Sequence, residues 1–213
     1  MTDDLERRLG AAVPPAGRLN MERLRAALAR RAADAGLLDV AYGVADSPLG
    51  PLTVFVTPRG VARISYALEA VEEQREEAAA RLSPRILAAP ERTDAARRQL
   101  DEYFAGRRRG FDLPIDWRLV RGFAGDVLRA TARIPFGAVS SYRAVATEAG
   151  SPNADRAAGN ALGSNPIPIV VPCHRVLHTG GRLGGYTGGL ERKRYLLSLE
   201  GVLPGNEPAA GGV

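Results

Sequence analysis

The stretch NPIPIVVPCHRVL, residues 165–177, sets three prolines (Pro166, Pro168 and Pro172) ahead of the only cysteine in the chain. Proline fixes φ and has no N–H to donate, so neither a helix interior nor an ordinary central strand runs through such a segment. A stiffened, strand-like approach that presents the next residues in a fixed pose is expected instead. A single cysteine excludes an intramolecular disulfide and any cysteine-based metal cluster, so Cys173 acts as a lone thiol and fits a reducing compartment. Two readings stand open. The apolar run IPIVV favours a small buried hydrophobe. The adjacent His174 and Arg175 favour a nucleophile, since such neighbours stabilise a thiolate. Side chains of adjacent residues in extended backbone face opposite ways, so Cys173 and His174 are expected to meet through a bridging water.

The chain of 213 residues, 45% of them hydrophobic, is long enough to build a core around this segment. Its start, MTDDLERRLG, lacks a basic segment followed by an apolar one, and no uninterrupted apolar run nears the roughly 18 residues of a membrane span. No membrane association and a cytoplasmic location are expected. Residues 1–18 read as a loose leader, and 19–35 as an amphipathic helix stopped by Gly36, together an extension over 1–36. Residues 39–66 change texture to β-branched and aromatic runs separated by SPLGP and TPRG, which predicts three antiparallel strands. Helices follow at EAVEEQREEAAARL and TDAARRQLDEYFAG, with RILAAP between them as strand or loop, and FDLPIDW as an extended link. Beyond it the pattern is mostly helical. LVRGFAGDVLRATARI predicts one helix over 119–134 with Val120, Phe123, Val127, Leu128 and Ile134 on one face, ended at PFG. The expected units are an α/β domain over 37–117, a mostly helical domain over 118–203 and a flexible tail over 204–213.

SSYRAVATEAG offers a serine cap and a break at Gly150, and SPNADRAAGNALGSN supplies a second short helix, so the pair is a helix-turn-helix candidate. Ala157, Ala158, Gly159, Ala161 and Gly163 make the second helix small-surfaced; it approaches either a neighbouring helix or a foreign backbone. The charge distribution bears on that choice. Residues 121–201 hold ten Lys or Arg against five Asp or Glu, and the remainder nineteen of each, so the net +5 lies entirely in this part. A polyanion suits such an excess, as do many soluble proteins that touch no nucleic acid. Of 29 basic residues only Lys193 is lysine; arginine suits phosphate, but skewed codon usage yields the same bias.

With PCHRV at 172–176, IPFGAVSSYRAVATEAG, RAAGNALGSNPIPIVVPCHRVLHTGGRLGGYTGGLERKRYLLSLEG and the preceding helix in one order, residues 119–201 closely resemble the O6-alkylguanine-DNA alkyltransferases. The resemblance implies a small antiparallel-sheet, ribonuclease H-like amino-terminal domain and a winged-helix-like carboxy-terminal domain with a helix-turn-helix. It implies a single-use activity on double-stranded DNA, with Cys173 taking an alkyl group from O6 of guanine, and from O4 of thymine, and keeping it as a thioether. In the family arrangement His174 is the base acting through water, Glu200 orients the imidazole and favours its protonated form, and Tyr186 protonates the departing guanine at N3. Read from the residues alone, Glu200 is a solvated helix end. The resemblance further makes Tyr142 the residue that crowds the target phosphate and Arg156 the finger that fills the vacated place in the stack. Ala157, Gly159, Asn160, Gly163 and Arg175 complete a minor-groove DNA surface. Asn165, Pro168, Val176 and Thr187 belong to the substrate pocket, with Asn165 tying the recognition helix to the active-site segment and the carbonyls of Cys173 and Val176 receiving the exocyclic amine. Gly184, Gly185, Gly188 and Gly189 keep the loop open and close to the base.

One cysteine excludes the structural zinc site of some relatives and the four-cysteine module of others, so no metal and no cofactor are expected. A monomer, with the capacity to bind DNA cooperatively, is the expected state. The rival reading is a lesion-binding protein that recruits other repair factors, with Cys173 buried and inert. A cysteine hydrolase would also use a Cys-His pair, but nothing else in the sequence favours it.

Overall fold

The computed structural model describes residues 21–66 and 71–203. The leader expected over 1–18 and the tail over 204–213 lie outside them. Helix α1 (Met21–Asp34) ends where Gly36 takes φ +67 and the N–H groups of Gly36 and Leu37 return to the carbonyls of Ala33 and Ala32. It docks through Ala29, buried against Ala41 and Ala89, and leaves Leu24 and Leu28 exposed.

Strands β1 (Val40–Ala45), β2 (Leu52–Thr57) and β3 (Gly60–Ser65) form the expected antiparallel meander. After helix α2 (Val71–Arg81), RILAAP resolves as strand β4 (Ile86–Ala88), which pairs parallel to β1 and completes the order β3-β2-β1-β4. The sheet is therefore mixed, with one parallel edge. Helix α3 (Pro90–Phe104) lies close over β1: a Cβ on Gly43 would stand 2.6 Å from Thr93 Oγ1 and 3.1 Å from the Pro90 backbone.

The link FDLPIDW runs beside β3, with Val61 N–H donating to Pro114 O (2.8 Å) and Asp116 N–H to Val61 O (2.9 Å). The single helix expected over 119–134 is two pieces. Asp116 caps a 3-10 turn, Trp117–Leu119, through Arg118 N–H, and α4 (Gly122–Ala132) starts at Gly122, which turns the chain at φ +55. Val127 and Leu128 form its buried face, and Val120 and Ile134 fall outside it.

Helix α5 (Tyr142–Glu148) begins at Ser141, whose hydroxyl accepts from Ala144 N–H at 3.1 Å. Gly150 turns at φ +85 before α6 (Asp155–Gly163), and α6 packs on both α4 and α5. A parallel pair, β5 (Ser140–Ser141) with β6 (Val176–Leu177), and the closing helix α7 (Leu190–Leu199) complete the unit. One apolar core crosses both halves, from Val54, Leu100 and Tyr103 to Val127, Ala161, Ile167, Val171 and Leu196. At the seam, Ile64 N–H on β3 donates to Pro166 O at 2.8 Å, so the amino-terminal sheet holds the proline-rich segment directly.

Gly60 carries φ +127, and a Cβ there would stand 2.0 Å from Pro114 O. Gly60→Ala is expected to destabilise the fold by about 2 kcal/mol or more, through backbone strain and displacement of the link. Urea unfolding measures it; an unchanged midpoint would contradict the packing of the link on β3.

Candidate active site and nucleic-acid interface

The strand-like approach expected for NPIPIVVP is absent. The segment closes on itself in turns: Val171 N–H donates to Ile167 O, Val170 N–H to Pro168 O and Cys173 N–H to Val171 O, at 2.8–2.9 Å. Prolines supply no ladder donors, so the free N–H groups find local carbonyls, and Ile169 is driven to φ +74. Cys173–Arg175 is itself a 3-10 turn, so the extended geometry assumed for Cys173 and His174 is also corrected.

Three side chains converge on this turn. Asn165, buried at the end of α6, donates through Nδ2 to Val171 O (2.8 Å) and to Cys173 Sγ (3.1 Å), while its Oδ1 accepts from Ile167 N–H. His174 is fully buried, and its Nε2 lies 2.9 Å from Glu200 Oε1. Glu200, at the end of α7, also accepts from Tyr103 Oη (2.7 Å), from Arg175 Nε and NH2 (2.8 Å each) and from Gly137 N–H (3.4 Å). A solvated helix end is excluded. Burial by itself would raise the Glu200 carboxyl, but the hydrogen bonds from His174, Arg175 and Tyr103 outweigh it and hold the pKa at about 2.

Burial likewise dominates at His174 and lowers its pKa despite the pull of Glu200, so the imidazole is neutral in the free protein. Glu200 does favour the protonated form, as expected, and burial outweighs it. A neutral ring beside a carboxylate carries its proton on Nε2, which leaves Nδ1 as acceptor, and Nδ1 has no hydrogen-bond partner among the described residues. Burial pushes the Cys173 thiol up to about 11, against the opposing effects of the Asn165 hydrogen bond and the Lys193 charge. The resting group is therefore the thiol.

Beside this turn opens a cleft of about 570 Å³ whose wall includes Tyr142, Arg156, Gly159, Asn160, Gly163, Tyr186 and Thr187. The small residues of α6 divide between two faces. Ala158 and Ala161 are buried against the protein, while Arg156, Ala157, Asn160 and Gly163 face solvent. Arg175 is corrected as a DNA-surface residue: it is buried, it forks onto Glu200, and its NH1 donates to Ile134 O. Asn165 and Pro168, expected in the pocket, lie buried behind it as supports. The carbonyls of Cys173 and Val176 already accept from Val176 N–H and from Lys193 Nζ (2.7 Å), and each oxygen keeps a second lone pair.

Thr187 is exposed, and its hydroxyl donates to Gly163 O at 2.7 Å, tying the loop over 184–189 to the end of α6. Gly184 and Gly188 are corrected too, since they make room for tyrosines of the protein. A Cβ on Gly184 would stand 2.1 Å from Tyr142 Oη, and one on Gly188 would stand 2.8 Å from the Tyr66 ring. Tyr186 meets the His174 ring edge to face with centroids 6.4 Å apart.

Lys193 was missed by sequence reasoning. It is fully buried, bonds the carbonyls of Val176 and Gly184, and its pKa is lowered by burial to about 8, a shift that the negative charge of an ionised Cys173 would oppose. Its signal was the chain's one lysine among arginines: a compact ammonium fits between two carbonyls where a planar fork does not. Tyr103 carried no comparable signal, because the sequence separation of 97 hides its bond to Glu200.

A helix-turn-helix with an exposed small-residue face that carries Arg156, beside a buried cysteine, histidine and glutamate, defines the class as a DNA-binding fold with a thiol buried behind the cleft. Comparison with known proteins names the family. Residues 40–117 match the 6-O-methylguanine DNA methyltransferase ribonuclease-like domain, and residues 122–202 match the DNA-binding domain of the same family. The methylated-DNA–protein-cysteine methyltransferase of Mycobacterium tuberculosis H37Rv is 41% identical over 75% of this chain and 91% of its own length. That of Methanosarcina acetivorans is 34% identical over 75% of this chain and 97% of its own. The crystal structure of M. tuberculosis OGT in complex with DNA covers 75% of this chain and 92% of its own, with TM-score 0.63 and 40% identity. The chain belongs to the methylated-DNA–protein-cysteine methyltransferase family.

Glu200→Gln leaves Arg175 buried without its counter-charge, at an expected cost of about 3 kcal/mol near neutral pH. The Glu200 carboxyl titrates lower in the fold than its ordinary 4.5, so its contribution is complete above that value and is lost as pH falls towards about 2. The stability gap between wild type and variant in urea unfolding should therefore narrow through that window. A gap that is constant with pH would contradict the network.

Proposed function

We propose that this protein repairs alkylated DNA by direct reversal, moving an alkyl group from O6 of guanine, and from O4 of thymine, irreversibly onto Cys173. The observation that carries the reading is the array of Cys173, His174 and Glu200 held behind a cleft whose wall includes Arg156, Tyr142 and Tyr186. A base in a duplex cannot reach a thiol at such depth, so the nucleotide is flipped into the cleft, with Arg156 taking its place in the stack and Tyr142 crowding the phosphate. The exposed Ala157, Asn160 and Gly163 suit close contact with the minor groove, and phosphate-led binding of this kind depends little on sequence. We read residues 37–117 and 118–203 as the two working domains, acting as a monomer in the reducing cytoplasm.

In the reaction, His174 Nδ1 takes the thiol proton through a water while Glu200 stabilises the imidazolium that forms. The thiolate sulfur bonds to the alkyl carbon as the carbon–O6 bond breaks, and that electron pair goes to the purine. Tyr186 gives a proton to N3, so the guanine leaves neutral. The resting thiol pKa near 11 fits this order, since deprotonation awaits the substrate and the thiol is protected from side reactions beforehand. The thioether is not reversed, and each protein works once.

The same burial favours the rival reading of an inert cysteine in a lesion binder. Mass spectrometry after mixing with O6-methylguanine DNA separates the two: one methyl per protein on the Cys173 peptide is expected, and bound but unmodified protein would sink the repair reading. Cys173→Ala should abolish transfer and keep DNA affinity. Arg156→Ala should slow repair in duplex DNA at least tenfold more than reaction with free alkylguanine base, as measured by single-turnover rates; equal slowing of both refutes the finger role.

A further inference from the structure

Tyr66 directly follows β3, two residues beyond Ile64, whose N–H donates to Pro166 O at 2.8 Å. The strand that carries Tyr66 and the segment that carries Cys173 therefore share one frame. From that frame Tyr66 reaches the loop over 184–189: its hydroxyl lies 2.5 Å from that of Tyr186, and the two rings meet edge to face with centroids 6.2 Å apart. Tyr186 in turn lines the cleft and touches the His174 ring, so the tyrosine pair stands beside the neighbour of Cys173. Burial raises the pKa of both phenols, and the charge of an ionised Cys173 raises them further, which places both rings near the sulfur. Arg192 closes the corner. Its guanidinium carbon stands 4.8 Å from the centre of the Tyr66 ring, and its nitrogens donate to Leu49 O (3.3 Å) and Gly188 O (2.9 Å). A Cβ on Gly188 would stand 2.8 Å from the Tyr66 ring and 3.0 Å from the Tyr186 ring, so the corner is packed to contact.

We propose that Tyr66 is a specificity-determining residue: from the amino-terminal half it fixes the Tyr186 wall of the cleft and limits how large an alkyl group Cys173 accepts, favouring methyl over ring-bearing groups such as benzyl. The proposal rests on the reading of Cys173 as alkyl acceptor given above. The sulfur–carbon bond forms as the carbon–O6 bond breaks, so the alkyl group lies between sulfur and base, among the side chains that surround the sulfur. A methyl group asks little of them. A benzyl group needs room for a ring, and a close-packed wall supplies it only by retreating. Glycines at 184, 185, 188 and 189 give the loop the backbone freedom to do so. Tyr66 and Arg192 remove that freedom at Tyr186 and Gly188, because each is mounted on the body: Tyr66 at the end of a paired strand, Arg192 on α7 and on Leu49 O. Thr187, bonded to Gly163 O, and Lys193, bonded to Gly184 O, tie the same loop to the carboxy-terminal half. Release of Tyr66 therefore loosens the wall without freeing the whole loop.

The experiment measures single-turnover transfer from one duplex sequence carrying either O6-methylguanine or O6-benzylguanine, and reads the ratio of the benzyl rate to the methyl rate, alongside melting temperature. Tyr66→Phe keeps the ring, its packing and the Arg192 face, and removes the hydroxyl bond. Tyr66→Leu also removes the outer part of the ring. The ratio is expected to rise about threefold in Tyr66→Phe, the order of one hydrogen bond. In Tyr66→Leu it should rise about tenfold, the order of a small change of volume in an apolar pocket. A general loss of structure slows both lesions and leaves the ratio where it was. A ratio that is unchanged or lower in either folded variant would overturn the proposal while leaving the repair reading intact, and Tyr66→Phe alone decides if Tyr66→Leu does not fold. Wild-type protein that takes up neither group would overturn both.

Discussion

The buried carboxylate of Glu200 is the interaction on which the rest of the site depends. It ends α7, and its two oxygens gather Tyr103 from α3, the Gly137 backbone, His174 and the forked guanidinium of Arg175. A buried ion pair is weak evidence of net stability, because desolvation offsets much of the attraction. What it supplies here is geometry. Each oxygen has a restricted set of lone-pair directions, and filling them leaves His174 one orientation and one tautomer. Arg175 is therefore a partner of the chemistry from behind, not a hand on the DNA.

A second dependence runs from the amino-terminal sheet to the cysteine. The edge strand β3 would present unpaired N–H groups to solvent; instead the link pairs along Val61, and Ile64 donates to Pro166. The proline-rich segment thereby gains a fixed outer anchor, while Asn165 anchors it from within. Lys193 joins the far side, bonding Val176 next to the 3-10 turn and Gly184 at the start of the loop over 184–189. The two halves share one core, so the amino-terminal unit is a working part of the site and not a passenger.

Much of the fold was legible because its signals are local. Ser141 before YRAV marked a helix start, Gly36 and Gly150 marked ends, and SPLGP and TPRG marked the turns of the meander. Short runs without periodicity were not legible: RILAAP became a strand only because β1 offered a free edge, and the helix expected over 119–134 broke where Asp116 capped a separate turn. The prolines at 166, 168 and 172 excluded a ladder, as read, yet the turns that replace it follow from hydrogen bonds that only the folded segment makes.

For the site, sequence by itself determined which groups are available: one thiol, a histidine beside it, a stiff approach and a small-surfaced helix on a basic background. Those are properties of residue type and of spacing along the chain. Tertiary structure alone decided how each group is used, because electrostatics and hydrogen bonding depend on distance in space. Burial makes Cys173 a resting thiol and His174 a neutral imidazole. Arg175 and Lys193, both cations near the cysteine in sequence or in space, exchange their expected importance, since the first is held by Glu200 and only the second acts on the sulfur.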